Sequence, residues 1–512
     1  MRAFATVGGW TMASRILGFA RDILIAALVG AGPVAEAFFV AFRLPNLFRR
    51  FFAEGAFNTA FIPLFAKRLE GEGPEAAGRF AGEAGSALLA ALLVLTALAQ
   101  LAMPAFVWAL ASGLEPGTFD LAVLFSRICF PYILFISLAA LCSGVLNAFG
   151  RFAAAAAAPV LLNVILIGAM TLGWSVGWME GADAGLVLSW AAFAGGIAQL
   201  ALVGLAMRRL GMGVRLSAPR LTPGVRRLLT LGLPAALSAG VVQINLLVGT
   251  QVASYFAGAV VWLWMADRVY QLPLGVIGIA IGVVLLPELA RRLRAGDAEG
   301  GHAALNRATE FSLALTLPAT VALLAMPGLV AAVLFERGAF TAADAAATGQ
   351  AIAIYALGLP AFVLQKVLQP AFYAREEMRA PLRYALWSMA ANVLIAAGGA
   401  PFIGWQAAPI ATTVAGWLML ALLWQGARRL DPGIAIDARL AERAPRIAGA
   451  SLLMGVGVWL GAEAAAGLAP VPRAAALAGI VALGAAAYAG AALLSGALRP
   501  ADLRAAVTRS QP

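Results

Sequence analysis

The sequence predicts an all-α polytopic membrane protein. About fourteen transmembrane helices form two six-helix lobes, related by pseudo-twofold symmetry along the membrane normal, plus two C-terminal helices. Three observations predict it. The chain is 62% hydrophobic and only 12% charged, with a mean hydropathy of +0.89; soluble domains are about 45–50% apolar and about 25% charged. The apolar excess divides at charge, Gly/Pro and turn clusters into fourteen segments, most near the ~20 residues that a span requires. Short signatures then recur in order at offsets near 224–229 residues, six segments apart.

The segments fall near 8–31, 34–66, 83–111, 119–148, 156–178, 184–207, 226–256, 260–290, 304–326, 343–373, 381–400, 405–427, 446–466 and 473–497. Loop charge supports the alternation, because cytoplasmic loops collect Lys and Arg. With the N-terminus on side one, that side gathers 26 basic residues and side two only Arg337 and Arg473. Side one is therefore read as cytoplasmic, with both termini there. Arg15 and Arg21 interrupt the first apolar run, so no signal peptide is expected. The second segment, 34–66, carries the most charge and is where the count is most open.

The repeat supplies the lobes. Ile62-Pro63-Leu64-Phe65-Ala66-Lys67-Arg68-Leu69 closes the second segment, and Leu286-Pro287-Glu288-Leu289-Ala290-Arg291-Arg292-Leu293 closes the eighth. Ala148-Phe149-Gly150-Arg151, Ala158-Pro159 and Asn163-Val164-Ile165 are matched by Phe372-Tyr373-Ala374-Arg375, Ala380-Pro381 and Asn392-Val393-Leu394. An even number of helices per repeat keeps both halves in one orientation, with a substrate site expected between them. The expected division is an N-lobe over 1–210, a C-lobe over 211–428, and a basic linker with two helices and a tail over 429–512.

Eight basic residues fall inside spans: Arg15, Arg21, Arg43, Arg49, Arg50, Arg127, Arg268 and Lys366. One arginine at the bilayer centre costs roughly 2.5–3.5 kcal/mol on insertion scales, so several must face a wet cavity or one another. Arg127 and Lys366 can be read as snorkelling or structural, and Arg49 and Arg50 as interfacial. Arg15, Arg21 and Arg268 most strongly suggest a substrate cavity, with Asp22, Glu36, Glu54 and Asp267 as acids that hold the arginines when the site is empty. On a straight helix Arg15 and Asp22 share a face while Arg21 points about 120° away. Glu36, Arg43, Arg50 and Glu54 share a stripe, and Arg49 lies with Asn46. Guanidinium groups donate paired hydrogen bonds to phosphate oxygens, so the cavity suits an anion, a diphosphate above all.

Several classes are excluded. The basic excess is segmental, so nucleic acid is not the expected partner. His302 sits in a Gly/Asp/Glu-rich loop and is expected to be solvated. Cys129 and Cys142 read as small buried hydrophobes, and no metal site can be assembled. Neither a Walker A loop nor a nucleophile–base set is present, leaving only a membrane-embedded lipid-phosphate transferase as an enzyme reading.

Ser14-Arg15-Ile16-Leu17-Gly18-Phe19-Ala20-Arg21-Asp22 resembles the first-helix motif of the MurJ (MviN) lipid II flippases. Ala37-Phe38-Phe39-Val40-Ala41-Phe42-Arg43-Leu44-Pro45-Asn46-Leu47-Phe48-Arg49-Arg50 and Phe52-Ala53-Glu54-Gly55-Ala56-Phe57 resemble the second. Phe130-Pro131-Tyr132-Ile133-Leu134, Ala266-Asp267-Arg268 and Phe372-Tyr373-Ala374-Arg375 extend the likeness along the chain. The family lies within the multidrug, oligosaccharidyl-lipid and polysaccharide exporters. The resemblance implies movement of lipid II to the periplasmic leaflet of a bacterial inner membrane, for peptidoglycan synthesis and cell shape. It implies Arg15, Arg21, Arg49 and Arg268 as substrate-binding residues and Ser14, Glu36, Asn46 and Glu54 as polar cavity positions. It also implies a lateral portal between the first and eighth helices and a tail groove on the last two.

Two departures stand out. Gln271 replaces an acid that some relatives carry three residues after the eighth-helix arginine, which puts a gating pair in doubt. The seventh and eleventh helices offer Gln243, Asn245 and Asn392 where sodium-binding relatives use acids. No cofactor is expected. The drive is expected to be the membrane potential or an ion gradient, since two negative charges leaving an inside-negative cell gain about 4–5 kcal/mol per 100 mV. Expected partners are lipid II, membrane lipids and the peptidoglycan synthesis machinery. The alternatives are an exporter of another polyprenyl-diphosphate-linked saccharide, a cation/drug antiporter, which would show lone acids without the arginines, and a non-transporting envelope scaffold.

Overall fold

A computed structural model describes residues 2–49, 56–212 and 218–499. Arg50 and Glu54 lie outside the described residues, and so do the side chains of Gln243 and Asn245. Among the described residues the regular structure is helical, and nine stretches are long and apolar enough to cross a membrane. The protein is a multi-pass membrane protein.

The chain divides into two compact units, 1–261 with 337–341, and 262–336 with 342–512. The first contains α1 (Arg2–Val29), α2 (Pro33–Arg49), α3 (Ala56–Glu72), α4 (Pro74–Leu101) and α5 (Met103–Ala111). It continues with α6 (Pro116–Cys129), α7 (Tyr132–Ala148), α8 (Phe152–Ser175), α9 (Gly181–Arg209) and α10 (Pro223–Ala253). Helix α11 (Ala259–Arg294) begins at its edge and runs into the second unit. That unit contains α12 (Ala298–Ala325), α13 (Pro327–Phe335), α14 (Ala342–Tyr373), α15 (Arg379–Ile403), α16 (Ala407–Leu430), α17 (Ala438–Ala465) and α18 (Pro470–Leu494).

Helices fall on every predicted segment. The third and fourth hold two each, α4/α5 and α6/α7; α13 fills residues expected as the loop between 326 and 343; and α2 and α3 flank residues 50–55, which lie outside the described residues. Proline marks the α4/α5, α6/α7 and α12/α13 boundaries. Pro104 and Pro327 stand in the first turns of α5 and α13 and Pro131 precedes α7; proline suits a first turn because its missing N–H has no intrahelical partner there. The predicted basic linker is shorter than expected, since α16 runs to Leu430 and α17 starts at Ala438.

In the first unit α1 lies along α8, α8 and α7 pack on α9, and α2 packs on α6. Phe38, Phe39, Phe61, Phe65, Phe80, Phe125 and Phe130 are almost wholly buried there. Gly185 of α9 admits the Phe125 ring where a Cβ would collide. Helix α10 packs on α3, α4 and α5. The sequence repeat assigns α10 to the second half; a repeat is a matter of sequence register and a unit one of packing, so the two divisions differ without conflict. Gly30 (φ 76°) turns the α1–α2 corner against the Ala339 carbonyl, while the Ala339 N–H donates to Ala27 O at 2.8 Å.

In the second unit Leu359, Val363, Val367, Phe372 and Leu423 join α14 and α16 in one core, and α17 packs on α12 and α18. Cys129 and Cys142 are free and buried, as expected of small hydrophobes. The expectation for His302 is overturned. Helix α12 begins at Ala298, ahead of the predicted 304, which makes His302 helical and half-buried with Nε2 2.8 Å from Asp431 Oδ2.

Candidate functional site

Arg21 is 5% exposed and surrounded by partners. Its Nε and Nη2 donate to Asp22 Oδ1 at 3.0 and 2.7 Å, Nη1 donates to Asn163 Oδ1 at 3.0 Å, and its carbon head lies 5.6 Å from the Phe42 ring centroid. Burying a guanidinium is tolerable only with such pairing and hydrogen bonding. Asn163 also donates to the Ser14 carbonyl at 3.0 Å and rests against Gly18, so one buried amide holds two turns of α1 on α8.

Arg15 is different. Among the described residues it has no ion pair or hydrogen bond, and it lines a cavity of about 520 Å³. The other polar walls are Thr11 and Ser14 of α1 and Ser143 and Asn147 of α7; Val7, Phe152, Ala155, Ala156 and Pro159 supply the apolar remainder. Among the described residues no carboxylate lines it. A volume within the ~300–1,000 Å³ of ligand pockets, one cation, three hydroxyls and an amide suit an anionic, hydroxyl-rich group.

Helix α2 holds the remaining first-unit residues. Arg49 Nε donates to Asn46 Oδ1 at 3.2 Å, and Asn46 donates to the Phe42 carbonyl at 2.7 Å. Arg43 donates to Thr250 Oγ1 of α10. Glu36 is buried, and its Oε1 accepts the Gly258 N–H at 2.8 Å, just before α11 begins. Nearby, Gly113 N donates to Ser254 Oγ at 3.0 Å and Ser112 Oγ meets Tyr255 OH at 2.9 Å. These contacts form a polar seam along the end of α10, at loops the charge census assigns to side two.

On α11 of the second unit, the Arg268 guanidinium lies 5.1 Å from the Trp264 ring centroid, and Asp267 accepts a hydrogen bond from Gln271. Gln271 therefore restrains Asp267 without adding charge.

A family model described as "Lipid II flippase MurJ" matches residues 25–470. The chain belongs to the MurJ family.

Curated MurJ relatives agree. A probable lipid II flippase MurJ of Rhizobium meliloti (strain 1021) is 46% identical over 471 residues, 90% of this chain and 87% of the relative. The lipid II flippase MurJ of Burkholderia cenocepacia is 35% identical, covering 84% of each. Among solved structures, a MurJ flippase in an inward closed conformation aligns with a TM-score of 0.80 at 23% identity, over 95% of this chain and 98% of that one. An inward-facing multidrug transporter of the MATE family aligns at 0.70 and 14% identity, over 82% and 95%. At those identities the structural likeness speaks for fold alone.

Of the first-unit arginines expected to bind substrate, Arg15 lines the cavity, whereas Arg21 and Arg49 are not among its walls. The six-residue spacing explains the first separation, since it puts Arg21 about 120° round α1 and about 9 Å farther along it, beside Asn163. Glu36 and Arg43 tie α2 to the α10–α11 corner, a role the one-helix stripe could not indicate. Asn163, Thr250, Ser143 and Asn147 went unselected as site residues. Asn163 stood out in the sequence only as a repeat marker, and the others gave no signal.

Proposed function

We propose that the chain carries lipid II, a polyprenyl-diphosphate-linked saccharide-peptide, from the cytoplasmic to the periplasmic leaflet of the bacterial inner membrane by alternating access. Membership of the MurJ family supports the substrate, and the observation that carries the mechanism is the Arg15 cavity, open and without a carboxylate. Arg15 offers the diphosphate paired N–H donors, while Thr11, Ser14, Ser143 and Asn147 meet phosphate or sugar oxygens. Arg21, Arg49 and Arg268 complete the binding set as the path is traversed, with Asp22, Asn46 and Asp267 holding them between cycles. The polar seam of Glu36, Ser112, Gly113 and Ser254 acts as the outer gate, and both termini lie in the cytoplasm. The membrane potential supplies the drive, at about 2.3 kcal/mol per charge per 100 mV.

The test is complementation of a strain depleted of its own lipid II flippase, at matched membrane abundance. Wild type should restore growth and cell shape, while Arg15→Ala and Arg268→Ala should not. Rescue by both variants would remove the arginines from the mechanism. Loss of rescue on collapsing the potential, with abundance unchanged, supports the drive; rescue that persists excludes it.

A further inference from the structure

The second unit contains another basic cavity, remote in sequence from every residue assigned above. It measures about 430 Å³ and lies between the start of α15 and the end of α16, lined by Arg379, Arg383, Arg429, Tyr384 and Glu377, with Phe372, Ala380, Gly426 and Leu430. Among the described residues Glu377 is its only acid, and its Oε1 is engaged by the Arg379 and Ala380 N–H groups, both at 2.9 Å. None of the three arginines has an ion pair among the described residues. Neighbouring Arg375 shows the contrast, with Nη2 2.5 Å from Asp431 Oδ2 and Nη1 2.9 Å from the Ala371 carbonyl. Three guanidinium groups thus surround a cavity with one carboxylate between them, a net charge of +2.

The rest of α15 indicates what the cavity receives. At 100° per residue, Arg379, Arg383, Leu386, Trp387 and Leu394 share a stripe about 100° wide. All five are exposed, Trp387 by 63% and Leu394 by 73%. The stripe therefore runs from charge through an indole to aliphatic surface, the order of a membrane interface read from headgroup to acyl chain. Loop charges assign Arg379, Arg383 and Arg429 to the cytoplasmic side, where anionic lipids attract basic groups and basic pockets between helices hold phosphate headgroups. By the Ala158-Pro159/Ala380-Pro381 match, the first-repeat counterparts of Arg379 and Arg383 are Ala157 and Leu161. The equivalent corner of the first repeat thus lacks the charges of Arg379 and Arg383.

We propose that this cavity is a binding site for the phosphodiester headgroup of an anionic phospholipid of the cytoplasmic leaflet, whose acyl chains lie along the exposed stripe of α15. Arg379, Arg383 and Arg429 bind the phosphate, and Trp387 marks the interface level. A free phosphate would satisfy the arginines but make no use of the apolar stripe that continues from them.

The test uses the purified full-length protein in a neutral detergent. A photoactivatable phosphatidylglycerol should label the wild type within 379–394 or 426–430, and the matching phosphatidylcholine probe should not. Arg379→Gln/Arg383→Gln/Arg429→Gln should weaken phosphatidylglycerol binding by about a hundredfold, on the order of fivefold for each basic side chain near the surface. The equally exposed Arg208→Gln/Arg209→Gln/Arg227→Gln should leave it unchanged. Millimolar inorganic phosphate should not displace the lipid. Equal labelling by phosphatidylcholine, labelling of the wild type elsewhere, full binding by the first triple variant, or equal loss in the second would overturn the proposal. Displacement by inorganic phosphate would overturn the lipid in favour of the free anion. Labelling of the wild type stands even if a variant fails to fold.

Discussion

Two arginine-bearing regions of this molecule differ in how their guanidinium groups are occupied. Where α12 meets α17, Glu310 is 6% exposed and accepts from Arg307, Arg439 and Arg443, the last only 4% exposed. Arg307 also reaches Asp437, which caps α17 through the Leu440 N–H at 2.7 Å. At the Arg15 cavity no acid is present among the described residues, and hydroxyls line the wall instead. An arginine in a membrane protein is thus no marker of function by itself. What distinguishes a structural one is that neighbouring acids already fill its hydrogen-bonding capacity. What distinguishes a binding one is that its neighbours can accept or donate but leave its charge uncompensated.

The sharpest way to break the comparison is to exchange the two behaviours. Glu310→Gln leaves buried Arg443 and its neighbours without a counter-charge, and removing one partner of a buried pair costs about 3–5 kcal/mol. A fall in the unfolding midpoint and in membrane abundance is expected, with transport per folded molecule retained. Arg15→Ala should do the reverse. It removes no intramolecular partner, so stability should stay within about 0.5 kcal/mol. Headgroup affinity should drop about tenfold to a hundredfold, for the loss of charged hydrogen bonds of roughly 1.5–3 kcal/mol. Thermal unfolding and binding of a diphosphate-linked lipid, measured on the same preparations, separate the outcomes. A destabilised Arg15→Ala would dissolve the distinction.

Asn163→Ala comes next. It deletes the amide that links the Ser14 carbonyl and Arg21 across α1 and α8. An unsatisfied buried group costs about 1–3 kcal/mol, and protection of α1 amides from hydrogen exchange should fall first. Unchanged protection of α1 would show that its packing on α8 does not depend on that amide.

How much of this was legible in the sequence follows from where each signal resides. Apolar runs and loop charge are local, so the helical segments were readable directly, and Arg15, Arg21 and Arg268 stood out together with no sign that Arg21 would be paired and Arg15 not. The helical wheel also anticipated that Arg15 and Arg21 face different ways. What stayed hidden depends on partners distant along the chain or of no particular residue type. Glu36 pairs with a backbone N–H 222 residues away, and every non-proline residue has such a group. His302 and Asp431 are 129 residues apart, and nothing in a Gly-rich run announces that the helix will extend to present the imidazole. Ser143 and Asn147 are unexceptional in an apolar helix until α1 is laid beside them.

The smallest expected effect tests the occupied class of arginine at its exposed margin, in the linker outside the membrane. Burial acts to raise the Asp431 carboxyl, but the hydrogen bond from His302, the Gly433 N–H and the charges of His302 and Arg375 outweigh it and hold the pKa below the usual range. A carboxyl depressed in the folded state contributes stability that is complete above its unfolded pKa of about 3.9 and is lost as pH falls through the folded value. Wild type should therefore lose stability below about pH 4 more steeply than Asp431→Asn, with the two curves running parallel at neutral pH. The difference should be small, because the group is partly solvated and other carboxylates titrate in the same window. Identical acid limbs would mean that the Arg375–Asp431–His302 contact contributes no stability. Arg375 would then belong with the uncompensated arginines, and the boundary between the two classes would have to move to include it.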